Sequence, residues 1–232
     1  MPIRKVVNMK ELMIIVPSRN RPENVSEVIS HVKEYSEISD LCFGFDDDDL
    51  SEYEPAPKVK FHRLPRTRIG GTLNSLARMY AKQYKYIAFM GDDHRPKTQG
   101  WDRILTEPLQ KKDGFSYGND LLQGKNLPTA IVMSSSIINS LDYMVPTNLK
   151  HFYFDNFWMD LGNKTNSLNY FDDVIIEHLH PLAEKSSVDS TYNSAWSLFD
   201  EDTSAYQLYM KKQFKKDVKK VLEIHENINN WS

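Results

Sequence analysis

The sequence predicts an α/β fold in which a mostly parallel central sheet is flanked by helices, and three observations carry that expectation. Apolar runs of strand length recur at Leu12 to Val16, Leu41 to Phe45 and Tyr86 to Met90. Segments with helical apolar spacing lie between them, one through Val25, Val28, Val32 and Tyr35, another through Leu73, Leu76, Ala77 and Tyr80. The same three strands end in polar clusters: SRNR after Val16, DDDD after Phe45 and GDDH after Met90. Strands alternating with helices argue for an open parallel sheet, and such sheets bind ligands outside the carboxyl ends of their strands.

Taken in order, Leu12 to Val16 reads as a buried strand, and the loop from Pro17 to Pro22 leads into the first helix. Lys58 to Leu64 is a third, more polar strand, and Gly70-Gly71 opens the second helix. Beyond residue 100 the pattern loosens into an α+β half. A short helix begins at Trp101, and strands are expected at Ile131 to Met133 and Val174 to Glu177, with the aromatic segment HFYFDNFW between them. Residues 183–203 read as a polar loop, followed by a single C-terminal helix with Tyr206, Tyr209, Met210, Phe214, Val218 and Leu222 on one face.

The 232 residues, 40% of them hydrophobic and 26% charged, suit one folded domain. A net charge of −3 gives no overall attraction to nucleic acid or anionic membrane. Cys42 is the only cysteine, so no intrachain disulfide forms and a reducing, cytoplasmic setting is expected. No run approaches the roughly 20 apolar residues that span a bilayer, and a soluble or peripheral protein is the expectation.

The chemistry concentrates in a few positions. Adjacent carboxylates at a strand end, Asp92 and Asp93, raise each other's pKa unless a cation neutralises them; a solvated acidic turn is the alternative. His178 and His180, in VIIEHLHP, fall on one face of a strand end, and histidine beside carboxylate and phosphate oxygens suits Mn2+ or a related divalent ion better than Ca2+. Asp46 to Asp49 offer a second metal site, acceptors for a nucleoside or merely a solvated loop. Arg63, Arg66 and Arg68 precede a helix N-terminus, a combination suited to phosphate. Asp155 lies among aromatics that raise a carboxylate toward the range of a general base, although an N-cap role is open too. Trp101, Phe157 and Trp158 are candidates for stacking on a sugar or for core packing. The lysines from Lys211 to Lys220 form a basic face for a polyanionic acceptor or for solvent.

In order, IIVPSRNRP, FGFDDDDLS, GGTLNSLA, YIAFMGDDHRP, YFDNFW and VIIEHLHP resemble the family 2 glycosyltransferases of the GT-A (Rossmann-like) fold across about residues 11–181. The resemblance implies a single domain with a nucleotide-binding half at 1–100, an acceptor half at 101–203 and a C-terminal helix at 204–232. It implies that Pro17, Ser18 and Arg21 lie by the nucleotide base, with Asp46 or Asp48 at the base or ribose, Arg68 and Asn74 by the diphosphate, and Asp92 near the ribose. Asp93 matches the second acid of the DXD motif, the metal ligand, while Gly91 stands where the first acid is usual. His178 matches the later metal-binding histidine, with His180 the alternative. Asp155 is the implied catalytic base, and Asn156 departs from the acid that usually follows it.

The expected activity is transfer of a sugar from a nucleotide diphosphate, UDP first, to an acceptor hydroxyl on a glycan, protein or modified nucleic acid, with inversion and with Mn2+ or Mg2+ as cofactor. Two rival readings remain. A sugar-nucleotide nucleotidyltransferase would carry a glycine-rich loop after the first strand, and SRNRP has none. A catalytically degenerate binding module draws its support from Gly91 and Asn156.

Overall fold

The computed structural model describes residues 9–179 and 196–229. The chain opens with strand β1 (Lys10–Ser18), helix α1 (Pro22–Tyr35) and strands β2 (Ser39–Asp46) and β3 (Val59–Leu64). Helix α2 (Arg68–Tyr80) returns it to β4 (Tyr84–Phe89). The three-residue β5 (His94–Pro96) leads to α3 (Trp101–Lys111) and β6 (Phe115–Asn119). Strand β7 (Ile131–Ser134), helices α4 (Ser135–Leu141) and α5 (Phe154–Lys164) and strand β8 (Leu168–His178) follow, and α6 (Phe199–Lys212) and α7 (Phe214–Asn229) end the described chain.

The strands form one sheet in the order β3-β2-β1-β4-β7-β6-β8-β5. Strands β1 to β4 run parallel, whereas β7 pairs antiparallel with β4 and with β6. Strand β8 is parallel to β6, and β5 is antiparallel to β8. The chain order reverses at β1, with β2 on one side and β4 on the other, and this places a crevice beyond Ser18 and Phe89.

Strand β1 has no polar face because it lies between two cores. Met13 and Ile15 join one cluster with Leu73, Ile87 and Trp158, while Leu12, Ile14 and Val16 join the other with Val25, Val28 and Trp101. All five β1 side chains are fully buried, and each stabilises the fold by about 1.5–3 kcal/mol relative to exposure. Helices α1 and α3 cover one face of the sheet; α2 and α4 to α7 cover the other. Among the described residues, no helix is long and apolar enough to cross a membrane.

Several expectations need correction. The C-terminal helix is two helices broken at Gln213. The break shifts the helical phase, so Val221 rather than Leu222 is buried and Leu222 is exposed. Of the polar stretch 183–203, residues 183–195 lie outside the described chain and Phe199 onward is already α6. Strands β5 and β6 were not expected. The first is three residues ending in proline, and the second, FSYGN, is held by its neighbours rather than by an apolar pattern of its own.

One buried carboxylate joins α3 to the corner between α1 and β2. Asp102 accepts hydrogen bonds from Glu37 N, Ile38 N (2.8 Å) and Ser39 Oγ (2.6 Å) and has no solvent exposure. Asp102→Ala strands these donors, and chemical denaturation is expected to register a loss of about 3 kcal/mol, with a smaller loss for Asp102→Asn.

Candidate active site

The crevice at the chain reversal is a cavity of about 500 Å3. Its walls come from the carboxyl ends of β1, β2 and β4, from the start of α2, from the segment 151–155 and from His178 at the end of β8. Among the lining residues Asn20, Arg68 and Tyr153 carry positive φ, at 56°, 62° and 69°. None is glycine, so left-handed backbone is held here by surrounding structure, a strain that concentrates at functional sites.

Beyond β4 Asp92 is buried and Asp93 half-buried, and the two carboxylates face different partners. Asp92 accepts from Ser18 Oγ at 2.6 Å and from Arg21 Nη1 at 2.9 Å. Burial still raises its pKa, with the Arg21 charge opposing. Asp93 turns toward histidines: His94 Nδ1 lies 3.2 Å from its Oδ1 and His178 Nε2 3.4 Å from its Oδ2. Burial acts against ionisation of Asp93 as well, but the His178 imidazole holds its carboxyl well below the usual range.

The two imidazoles are stacked, 4.1 Å apart at 19°. The hydroxyl of Thr129 donates to Asp120 Oδ2 at 2.7 Å, so its oxygen accepts from His94 Nε2 at 3.3 Å. His94 Nδ1 accepts from Gly91 N at 3.1 Å. This network assigns a neutral His94 protonated at Nε2, in keeping with a pKa that burial and the neighbouring His178 lower. It leaves the Nδ1 lone pair facing a carboxylate oxygen, two electron-rich atoms that a cation would reconcile. Burial lowers the pKa of His178, yet the carboxylates of Asp120 and Asp93 on either side push it up to about 9, which marks the spot as one that attracts positive charge. Asp93, His94 and His178 each offer a ligand atom within 4.8 Å of the others, and a carboxylate with imidazoles fits a divalent ion such as Mn2+.

Gly91 has a physical reason. A Cβ at this position would lie 2.6 Å from Asp93 Oδ1 and 3.0 Å from His94 Nδ1. The Asp93 carboxylate fills the space that a longer residue at 91 would need.

On the β2 side an ion-pair lattice borders the cavity. Arg19 donates to Asp46 Oδ2 at 2.9 Å and also to Asp48, and Arg66 donates to Asp48 at 3.1 Å. Burial raises the Asp46 carboxyl despite Arg19. Asp49 is structural: it accepts from Asn20 N, Ser51 N and the Tyr53 hydroxyl, and Arg63 donates to its backbone oxygen.

On the opposite wall Asp155 sits in the first turn of α5 and lines the cavity. Burial raises its pKa, and the Asn156 backbone N–H, donating at 2.9 Å, opposes the rise only in part. Position 153, rather than Asp155, is the residue preceding the helix. His151, also lining, is kept neutral by burial, its pKa lowered to about 4. The segment is fixed from behind by the buried Asp202 of α6, whose carboxylate accepts from Lys150 N, His151 N and Phe152 N at 2.7–2.9 Å.

Nine of the twelve site residues that the resemblance implies line this one cavity, Pro17, Ser18, Arg21, Asp46, Arg68, Asp92, Asp93, Asp155 and His178, and Arg66 lines it too. Asn74 does not; its amide is buried and bonded to Met144 N, Val145 N and Val145 O, so it braces the chain. Asp48 lies outside the cavity lining, His180 lies outside the described residues, and Arg63 serves the Asp49 loop. Trp101, Phe157 and Trp158 are all wholly buried; Trp158 backs the cavity wall as core packing and exposes no ring face for stacking on a sugar. Sequence reasoning did not assign Arg19, His94, Asp120, Thr129 or His151. The GDDH cluster contained the signal for His94, but Asp120 and Thr129 reach the site only through the β6–β7 connection.

No protein-family profile matches the chain, and no curated protein matches its sequence. In three dimensions it is similar to S. aureus TarS 1–349 in complex with UDP-GlcNAc, at 11% identity and a TM-score of 0.57 over 80% of this chain and 64% of that one. The chain spans 59% of the TarS 1–349 chain in complex with UDP. It is similar also to the mannosyltransferase PcManGT from Pyrobaculum calidifontis in complex with GDP-Man and Mn2+, at 10% identity and a TM-score of 0.55 over 92% of this chain and 73% of that one. What these likenesses share is the course of the backbone: the chain has a GT-A-like glycosyltransferase fold.

Proposed function

We propose that the protein is a metal-dependent, inverting glycosyltransferase that moves a sugar from a nucleotide diphosphate to an acceptor hydroxyl. The observation that carries this reading is one cavity with a cation-attracting cluster at the end of β4 and a carboxylate of raised pKa on the opposite wall. Asp93 and His178 would hold the ion, with His94 as third ligand. When bound, the ion neutralises charge gathering on the departing diphosphate. Ser18, Arg21 and Asp92 position the nucleoside beside Asp46, and Arg68 at the start of α2 faces the phosphates, where a helix N-terminus favours negative charge.

Asp155 takes the proton of the acceptor hydroxyl as its oxygen attacks the anomeric carbon. The bond from that carbon to the diphosphate oxygen breaks, and the configuration inverts. Burial gives Asp155 more basicity than a solvated aspartate. A UDP-sugar is the first donor to test because TarS, of similar fold, binds UDP-GlcNAc; PcManGT binds GDP-Man, so GDP belongs in the same series. At Gly91 the Asp93 carboxylate occupies the space that a side chain would need; donor hydrolysis or transfer would exclude the degenerate-module reading.

Calorimetric titration of UDP, GDP and dTDP is expected to show binding of one nucleotide with Mn2+ and none with EDTA, and Asp93→Asn should weaken the metal-dependent binding at least tenfold. Nucleotide binding indifferent to both changes would remove Asp93 from a metal site. Asp155→Asn should reduce transfer at least a hundredfold while nucleotide affinity stays within twofold. The variant should melt no lower than the native protein, since a raised pKa means that the ionised carboxylate destabilises the fold at neutral pH. Native activity should fall as pH drops through a value above that of ordinary aspartate. Transfer by Asp155→Asn near the native rate would refute the base assignment.

A further inference from the structure

An aromatic cluster beside the cavity has no part in the donor chemistry. Trp196 is 56% exposed and Phe199 39%, high values for rings of this size. The two rings are 5.7 Å apart, and each meets Phe152, at 5.5 and 5.3 Å. Phe152 lines the cavity, and the Asp202 carboxylate that binds the backbone of 150–152 fixes this wall to α6. Exposed aromatics continuous with a cavity mark a surface built to be covered.

We infer that Trp196, Phe199 and Phe152 form the acceptor platform, and that the acceptor is a neutral saccharide lying with one pyranose face on the Trp196 ring. The inference rests on the glycosyltransferase reading and names its acceptor class. Three features select a saccharide. Trp196 is tilted 42° from Phe152 and 46° from Phe199, while Phe199 stands at 83° to Phe152, so no parallel pair forms a slot for a flat base. One open ring face suits the apolar C–H face of a sugar. Asp200, exposed in the first turn of α6 beside Phe199, accepts hydrogen bonds from hydroxyls and disfavours phosphate or carboxylate, whereas Glu201 is paired with Lys150. Asp155 follows Phe152 by three residues, and both line the same cavity, so the platform adjoins the wall that carries Asp155.

Saturation-transfer NMR with methyl β-glucopyranoside, methyl β-galactopyranoside, N-acetylglucosamine and maltose tests the platform, with UDP and GDP plus Mn2+ and a short thymidine oligonucleotide run in parallel. At least one saccharide should give a signal with the native protein. That signal should fall at least fivefold in Trp196→Ala and be partly kept in Trp196→Phe, with nucleotide signals unchanged in both. An undiminished saccharide signal in Trp196→Ala, no saccharide signal with the native protein, or an oligonucleotide signal lost in Trp196→Ala where saccharide signals persist would each overturn the inference. The donor reading fails separately: if no nucleotide binds while a Trp196-dependent saccharide signal persists, the platform stands and the transferase does not.

Discussion

Two adjacent carboxylates at the end of one strand, Asp92 buried and Asp93 half-buried, impose the constraint around which the rest of this molecule is arranged. An unpaired ionised carboxylate away from water is strongly destabilising, and Asp92 and Asp93 add mutual repulsion. The fold answers by sending their partners from different elements. Ser18 and the nearby Arg21 come from the end of β1 and the loop after it, and His178 comes from the end of β8, 85 positions along the chain from Asp93. These partners meet only if β1 lies beside β4 and β8 returns to pair with β5, which is the sheet order observed. The arrangement leaves Asp92 satisfied within the protein and Asp93 facing imidazoles that are themselves suited to a cation.

The same cavity collects other groups held in unfavourable states. Asp155 and Asp46 are half-buried with raised pKa values, Asp46 despite Arg19, and three non-glycine residues of the lining keep left-handed backbone. Each of these lowers stability on its own and persists because the two cores around β1 stabilise the fold by far more. Their convergence on one 500 Å3 space is a stronger sign of chemistry than any member alone.

The opposite wall of the cavity is built differently. Asp202 has no place in the cavity, yet its three hydrogen bonds hold the segment from which Tyr153 and Asp155 extend and tie it to the helix carrying Phe199. A carboxylate buried against backbone N–H groups thus sets the distance between Asp155 and the aromatic surface, in the way Asp102 sets the corner at the other end of the sheet.

The sequence by itself determined the first half of the sheet, because β1, β2 and β4 are apolar enough to be recognised as strands buried on both faces and their polar ends are abrupt. It also marked the strand ends that meet at the cavity, since adjacent acids and a histidine stand out at the ends of such apolar strands. Only the tertiary structure decided what each polar residue does. Asn74 and Asp93 both read as site residues, but one turns inward to brace Val145 and the other faces the cavity. His94, Asp120 and Thr129 became parts of one network because β5, β6 and the connection to β7 are shaped by long-range pairing, which leaves no local period in the chain. The break at Gln213 and the burial of Trp101 have the same origin: packing against distant elements overrides the pattern that neighbouring residues set.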